Sequence, residues 1–364
     1  MARVDADLVR ESSTSTGTGS FTVTGAATGE QTFASRCSVG DTFDYCIRAV
    51  DGSGVPTGEW EVGEGSYSAS NTITRNTVYA SSNGDALVNF SAGSKQVSLV
   101  FAAKRGAMVV ERLTAARTYY VRTDGSDANN GLANSSGGAF LTVQKAIDTA
   151  AALNNNGFDI TINVVAGTYT AANTLKSFVG HGKIIIQGAS LDQTSTVVSV
   201  TSADCFSCTN GVRGVYDIQY MKLQTVTSGG AIVLIGPCRI NFGNINFGSC
   251  VAQHIVVGYG ATARSNGPYT VSGGATYHYA VTAGNLTILH AVTCSGTPAF
   301  AGAFALAQIG GVIVAPNPTA SYSGSATGPR YLSSGVAAIY VNAGGASFFP
   351  GSSSGTVNNG GVYY

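Results

Sequence analysis

The chain has 364 residues, 48 of them Gly, and its 19 Lys and Arg balance 19 Asp and Glu to a net charge of zero. Charged residues make up 10% of the sequence, against about 25% in an ordinary soluble domain, while 44% of it is apolar. So much apolar material excludes bulk disorder. The lack of a clustered positive face excludes a strongly basic nucleic-acid binder, and no run reaches the roughly 18 apolar residues of a membrane-spanning helix.

A Gly-rich, charge-poor chain with many Ser, Thr and Asn residues points to an all-β, turn-dense architecture. Its charges are unevenly spread. Residues 1–159 carry 12 basic and 16 acidic residues, whereas residues 160–364 carry 7 basic residues and only Asp192, Asp204 and Asp217. Net charges of −4 and +4 mark two differently built modules. The opening MARVDADLVRESS has no apolar core of signal-peptide length, so no secretory leader is expected. Seven cysteines are too few for a disulfide scaffold and are expected to act mostly as small buried hydrophobes.

From Ser20 to Ala102 the chain alternates and turns like a small β domain. In TFDYCIRAV, Phe43, Tyr45, Ile47 and Ala49 fall on one face, the period of a half-buried strand. The preceding TFASRC is expected to pair with it through a turn at SVGD. That register sets Cys37 opposite Thr42, so no Cys37–Cys46 bridge is expected. Further strands are expected at Trp60–Tyr67, Thr72–Ala80 and Gln96–Ala102. Gly63 and Gly65 suit turn or bulge positions.

The order of pieces, a W-E-V-G-x-G-x-Y strand, a T-R-N-T-V-Y-A-S-S-N strand and turn, then V-N-F-S-A-G-x-K, resembles a module of virion proteins of tailed bacteriophages and prophages. In that family the module precedes a spike or fibre segment. The resemblance implies that residues 1–102 attach the protein to other virion proteins. Residues 103–118 look like a connector crowded with Lys104, Arg105, Glu111, Arg112 and Arg117.

Beyond it, Tyr119–Arg122 is expected as a strand and residues 124–138 as a Gly/Asn-rich loop. In LTVQKAIDTAAAL, residues Val143, Ala146, Ile147, Ala150 and Leu153 recur at helical spacing, with a stop at Asn154–Gly157. A strand, a G-x-D-x-N-x-G loop, this helix and a strand ending in AGTY (Val164–Tyr169) resemble the opening of right-handed parallel β-helices, the pectate-lyase-like fold of polysaccharide-degrading enzymes, adhesins and phage tailspikes. The resemblance implies that the helix caps the open end of a solenoid over residues 119–364.

Short β-branched runs then recur at Lys183, Thr196, Val215, Ala231, Arg239, His254, His278, Gly310 and Ala337, divided by Gly, Asn or Ser clusters. Residues 160–364 supply about eight coils of the usual length, a rod of about 40 Å. Residues 331–364 carry no charge, and Phe348, Phe349, Tyr363 and Tyr364 need burial, either by trimerisation of such ends or by a cap folded on the rod.

Polysaccharide-cleaving β-helices need paired carboxylates, or several acids around Ca²⁺. This rod offers Asp204 and Asp217, 13 residues apart, as its only weak catalytic pair and no acid in its last 147 residues. Asp124, Asp127 and Asn129 form a weak candidate metal loop that lacks a distal bidentate acid, and turn chemistry accounts for them. Cys205 and Cys208 form a C-x-x-C with no second pair at zinc spacing. His181, His254, His278 and His290 lie in separate segments and are expected at the rod surface or in turns. No cofactor is expected.

Exposed aromatics among 17 Tyr would suit stacking on sugars. The sequence thus predicts a virion-borne homotrimeric spike or fibre-like appendage, an all-β protein that recognises host cell-surface polysaccharide without cleaving it. A structural head, neck or collar spike and a polysaccharide depolymerase are the alternatives. No contact with nucleic acid and no membrane insertion is expected.

Overall fold

The computed structural model describes residues 2–106, 110–189, 192–209 and 211–364, so residues 107–109 of the expected connector lie outside the described residues. Two compact units form, Met1–Val110 and Glu111–Tyr364.

In the first, six strands make one antiparallel sheet in the order β1-β6-β3-β4-β5-β2: β1 (Arg10–Ser13), β2 (Phe21–Thr22), β3 (Thr42–Val50), β4 (Pro56–Ala69), β5 (Thr72–Ser81) and β6 (Ser94–Leu99). Along β3 the expected inner face holds, with Phe43, Tyr45, Ile47 and Ala49 buried, while Asp44 on the other face is also buried, paired with Arg3 at 2.9 Å. The G-x-G spacing of β4 has a steric cause. Gly63 pairs with Tyr45 and Gly65 with Phe43. A Cβ on Gly63 would lie 2.2 Å from the Thr77 carbonyl oxygen and 2.8 Å from Tyr45 Oη, and one on Gly65 would lie 2.9 Å from the Tyr45 ring. Register shifts in the β4–β5 ladder at both glycines are the expected bulges.

The space that these glycines leave lets the Tyr45 hydroxyl donate to Glu61 Oε1 at 2.6 Å. Glu61 is fully buried and also accepts the Val88 N–H at 2.7 Å. Arg75 completes the site: its Nη1 donates to both Glu61 oxygens at 3.2 and 3.1 Å, and its guanidinium reaches the carbonyls of Val88, Gly17 and Gly19. It is also packed against the Phe21 and Phe90 rings, 5.0 and 5.6 Å from their centroids. Conserving charge balance inside the core in this way costs desolvation, which the dense hydrogen bonding offsets.

One expected strand is absent. TFASRC forms a single helical turn, Phe33–Arg36, whose cap Thr32 accepts the Ser35 N–H at 3.1 Å. Buried Glu11 draws the Phe33 N–H away from sheet pairing with a 2.7 Å hydrogen bond. The buried pair Phe33 and Cys37 is spaced by four, the period of a helix, and the alternation inferred from so short a segment was the wrong one. The turn at SVGD does form, with Asp41 N–H donating to the Ser38 carbonyl.

The second unit is a parallel β-solenoid of about eight turns. Ten strands, from Arg117–Val121 to Val362–Tyr363, stack on its longest path; eight, from Asn173–Thr174 to Thr356–Val357, form a separate sheet. A third set, Gly167–Tyr169, Thr196–Ser202, Tyr269–Val271, Ala291–Cys294 and Ser321–Ser323, joins the first because Val215–Ser228 and Arg239–Phe247 run through both. These two strands turn the corner at Tyr220 and Asn244, with φ of 58° and 51°.

Side chains repeat in register along the interior, as in Ile162–Ile186–Ile218–Phe242, all fully buried. Each such side chain contributes about 1.5–3 kcal/mol of apolar burial. Helix Val143–Ala151 lays Val143, Ala146, Ile147 and Ala150 on the first coils of this core, as its spacing predicts. Leu113, ahead of the first strand, is buried in the same core.

At the far end, Phe349 is fully buried and packs on Phe304, Tyr322 and Phe348, with centroids 5.9, 5.1 and 5.4 Å away. The segment around Phe349 therefore folds onto the rod's own core, while Tyr364 stays 58% exposed. At one corner of successive coils, Tyr259, Ala283, Ile309 and Val336 all take φ between 50° and 55°. For β-branched Ile309 and Val336 this backbone is an outlier.

Candidate functional site

The acids and loop residues singled out in the sequence are engaged in local structure. Asp127 holds the helix's N-cap residue Thr142 in place: its Oδ1 accepts the N–H groups of Leu141 and Thr142, both at 2.9 Å, and its Oδ2 accepts the Thr142 hydroxyl at 2.7 Å. Asp124 pairs with Arg122 at 2.8 and 3.0 Å, which holds its carboxyl below the usual range. Asn129 donates its amide to the carbonyls of Ser136 and Ala139. Among the described residues, no three His, Cys, Asp or Glu side chains are placed to hold a metal.

Asp204 lies between strands Thr196–Ser202 and Phe206–Cys208, and Asp217 within a strand. Asp204, ahead of strand Phe206–Cys208, accepts the Gly230 N–H at 2.7 Å. Asp217 lies in strand Val215–Ser228, where it accepts from Lys183 Nζ at 3.0 Å and from Asn241 Nδ2 at 2.6 Å. Each carboxylate is engaged in a structural contact.

All seven cysteines are free thiols, and all but Cys46 are buried. Burial pushes Cys250 and Cys294 up to about 11, so they are held as inert thiols.

The expectation of surface histidines is corrected for two of the four. His254 and His278 are fully buried because strands Gln253–Gly258 and Ala275–Thr282 pair in parallel register and stack the two rings inside the rod. Burial pushes His254 down to about 4, and burial with the neighbouring imidazole holds His278 well below its ordinary value. With both rings neutral, the hydrogen bonds have one consistent direction. His254 Nε2–H donates to the Gly248 carbonyl at 2.8 Å, which leaves its Nδ1 to accept His278 Nδ1–H at 2.9 Å. His278 Nε2 then accepts the Tyr269 hydroxyl at 3.3 Å, Tyr269 accepts from Tyr279, and Tyr279 accepts from Tyr322 at 3.2 Å. Phe247, Phe300 and Phe304 surround this chain with rings. It pairs the buried polar side chains of His254, His278, Tyr269 and Tyr279 with one another inside the rod.

The expected aromatic surface is also smaller than the Tyr count implied. Tyr169, Tyr216, Tyr269, Tyr279 and Tyr331 are buried in the rod.

What the rod does present outward is a basic groove on its longest sheet. Two depressions of about 490 and 480 Å³ share Val215, Arg239 and Thr262, so they form one continuous feature. Parallel register builds it in two rows. Lys183, Val215, Arg239 and Thr262 lie along one, and Asp217, Asn241, Arg264 and Thr287 along the next. Arg213 and His181 line its near end. Two acids stand in these rows: Asp217 is covered by Lys183 and Asn241, and Asp159, level with Lys183 on the preceding coil, accepts the Lys183 N–H at 2.8 Å. Arg213, Arg239 and Arg264 are exposed and their side chains have no acidic partner among the described residues. The sequence held this signal only as a spacing, since Arg239 and Arg264 fall one coil apart, as do His254 and His278 at 24 residues.

The fold and groove define a parallel β-solenoid protein with a polar outer face. No protein-family model, curated protein or solved structure matches the chain.

Proposed function

We propose that this protein is a recognition spike of a tailed phage or prophage, in which the N-terminal β unit attaches to other virion proteins and the solenoid meets a polysaccharide on the host surface as a homotrimer. The observation that carries this reading is the open groove across successive coils of the rod, lined by exposed Arg and partly exposed Asn and Thr side chains. A long, shallow, polar trough along stacked strands suits a chain-like ligand better than a small enclosed one. Trimerisation is supported by Tyr259, Ile309 and Val336, which are 60%, 61% and 77% exposed along one corner of the rod.

The test is competition. Purified full-length protein added before infection should reduce adsorption of the parent particle to its host, and labelling should place the protein on the tail. Unchanged adsorption with label at the head or collar would assign a structural spike instead. Release of reducing or unsaturated ends from host polysaccharide, abolished by Asp204→Asn or Asp217→Asn, would make it a depolymerase.

A further inference from the structure

We infer that the groove selects an acidic polysaccharide, one bearing uronate carboxylates, and that Arg239 and Arg264 are the residues that read its charge. The inference rests on the glycan-recognition reading and adds a ligand class to the same site.

Three observations converge on it. First, Arg239 and Arg264 stand on adjacent coils and two residues apart along the strand, since Arg239 pairs with Thr262 and Asn241 with Arg264. The two guanidinium groups are therefore set diagonally across a single floor rather than scattered around the rod. Arg213 extends the same charge toward the preceding coil.

Second, the basic residues of this face divide into one that is neutralised and three that are not. Lys183 is paired with Asp217, whose side chain is only 8% exposed and is further tied to Asn241. Nothing equivalent answers Arg213, Arg239 or Arg264 among the described residues, and no acid follows Asp217 in the sequence. An incoming carboxylate meets three open guanidinium forks, while the acids of these rows, Asp159 and Asp217, both lie against Lys183 at the groove's other side. The planar fork favours bidentate pairing with a carboxylate.

Third, the remaining lining consists of Asn241, Thr262, Thr287 and Val215. Amide and hydroxyl groups between the arginines can meet sugar hydroxyls, and the lack of an aromatic platform in this segment rules out stacking as its main source of affinity. One coil step of about 4.8 Å across and two residues of about 3.3 Å each along the strand set the Arg239 and Arg264 positions about 8 Å apart, within reach of carboxylates on one polysaccharide chain.

The experiment measures binding of the full-length chain to immobilised polygalacturonate, dextran and duplex DNA at low and physiological salt. The expected result is binding to polygalacturonate that weakens as salt rises, with little binding to dextran or DNA. Arg239→Gln with Arg264→Gln should weaken polygalacturonate binding about tenfold. Lys176→Gln, which removes a charge already paired with Asp148, should leave it unchanged. Retained far-UV circular dichroism and unfolding midpoint in each variant separate lost contacts from lost fold.

Equal binding to dextran, equal binding to DNA, or an arginine variant that binds polygalacturonate as well as the parent chain would overturn the inference. Host polysaccharide bound undiminished by that variant would overturn it while leaving glycan recognition standing. Failure to bind any polysaccharide, host material included, would remove the broader reading as well.

Discussion

Replacing Arg75 by Leu tests whether the buried charge network organises the N-terminal unit. The substitution removes both hydrogen bonds to Glu61 and the contacts to the Val88, Gly17 and Gly19 carbonyls, and it strips the cation from between Phe21 and Phe90. Glu61 remains fully buried with only the Tyr45 hydroxyl and the Val88 N–H to stabilise its charge. Breaking a buried pair on one side costs about 3–5 kcal/mol. A unit of this size has about 5–15 kcal/mol in total, so the variant should be marginal. The single tryptophan of the chain, Trp60, lies in this unit, so urea titration followed by its emission reports this unit within the intact protein. In the double variant Glu61→Gln with Arg75→Leu, no charge is left in this network. Its cost should fall at least about 1 kcal/mol below the sum of the single costs. A loss under about 1 kcal/mol for Arg75→Leu, or strict additivity in the cycle, would refute this account of the core.

Other substitutions probe the rod. His254 and His278 are neutral when folded and take up protons when unfolded, so the unfolded state binds more protons below about pH 6.5 and their contribution is lost as pH falls from there toward 4. His254 alone should cost the rod about 3 kcal/mol over that interval, and His254→Leu with His278→Leu should flatten the pH dependence of unfolding measured by circular dichroism. Phe349→Ala should destabilise the rod by about 3–5 kcal/mol through a cavity against Phe304 and Tyr322, with aggregation in light scattering as the end of the solenoid opens. Val336→Asn places a residue tolerant of left-handed backbone at φ 55° and should raise the unfolding midpoint of the isolated chain by about 1 kcal/mol equivalent, while sedimentation shows weaker self-association. Gly63→Ala should unfold or severely loosen the N-terminal unit, since its Cβ meets both the Thr77 carbonyl and Tyr45, and limited proteolysis would detect this.

Local patterns were legible where they were long. Nine residues of strict alternation in TFDYCIRAV gave the β3 face, and five apolar positions at helical spacing gave the helix at Val143–Ala151. TFASRC was too short to separate a period of two from one of four, and its outcome was decided by Glu11, more than 20 residues away. The strand Phe300–Gln308, FAGAFALAQ, gave little β signal because Ala and Gly carry none, yet coil stacking places it beside Ala275–Thr282. The groove and the histidine pair were illegible for a related reason. Their members meet only through the register between coils, and irregular loops between strands shift that register from turn to turn.

The chain of hydroxyls and imidazoles inside the rod has a further consequence. Its direction is anchored at one end, where His254 Nε2–H donates to the Gly248 carbonyl, and a member reverses only together with its neighbours. Enclosed by phenylalanine rings, the hydrogens on Tyr269 and Tyr279 can trade with solvent only when the solenoid opens. These two phenols should therefore give persistent proton resonances in water, and their replacement by deuterium would clock the breathing of the coils around them.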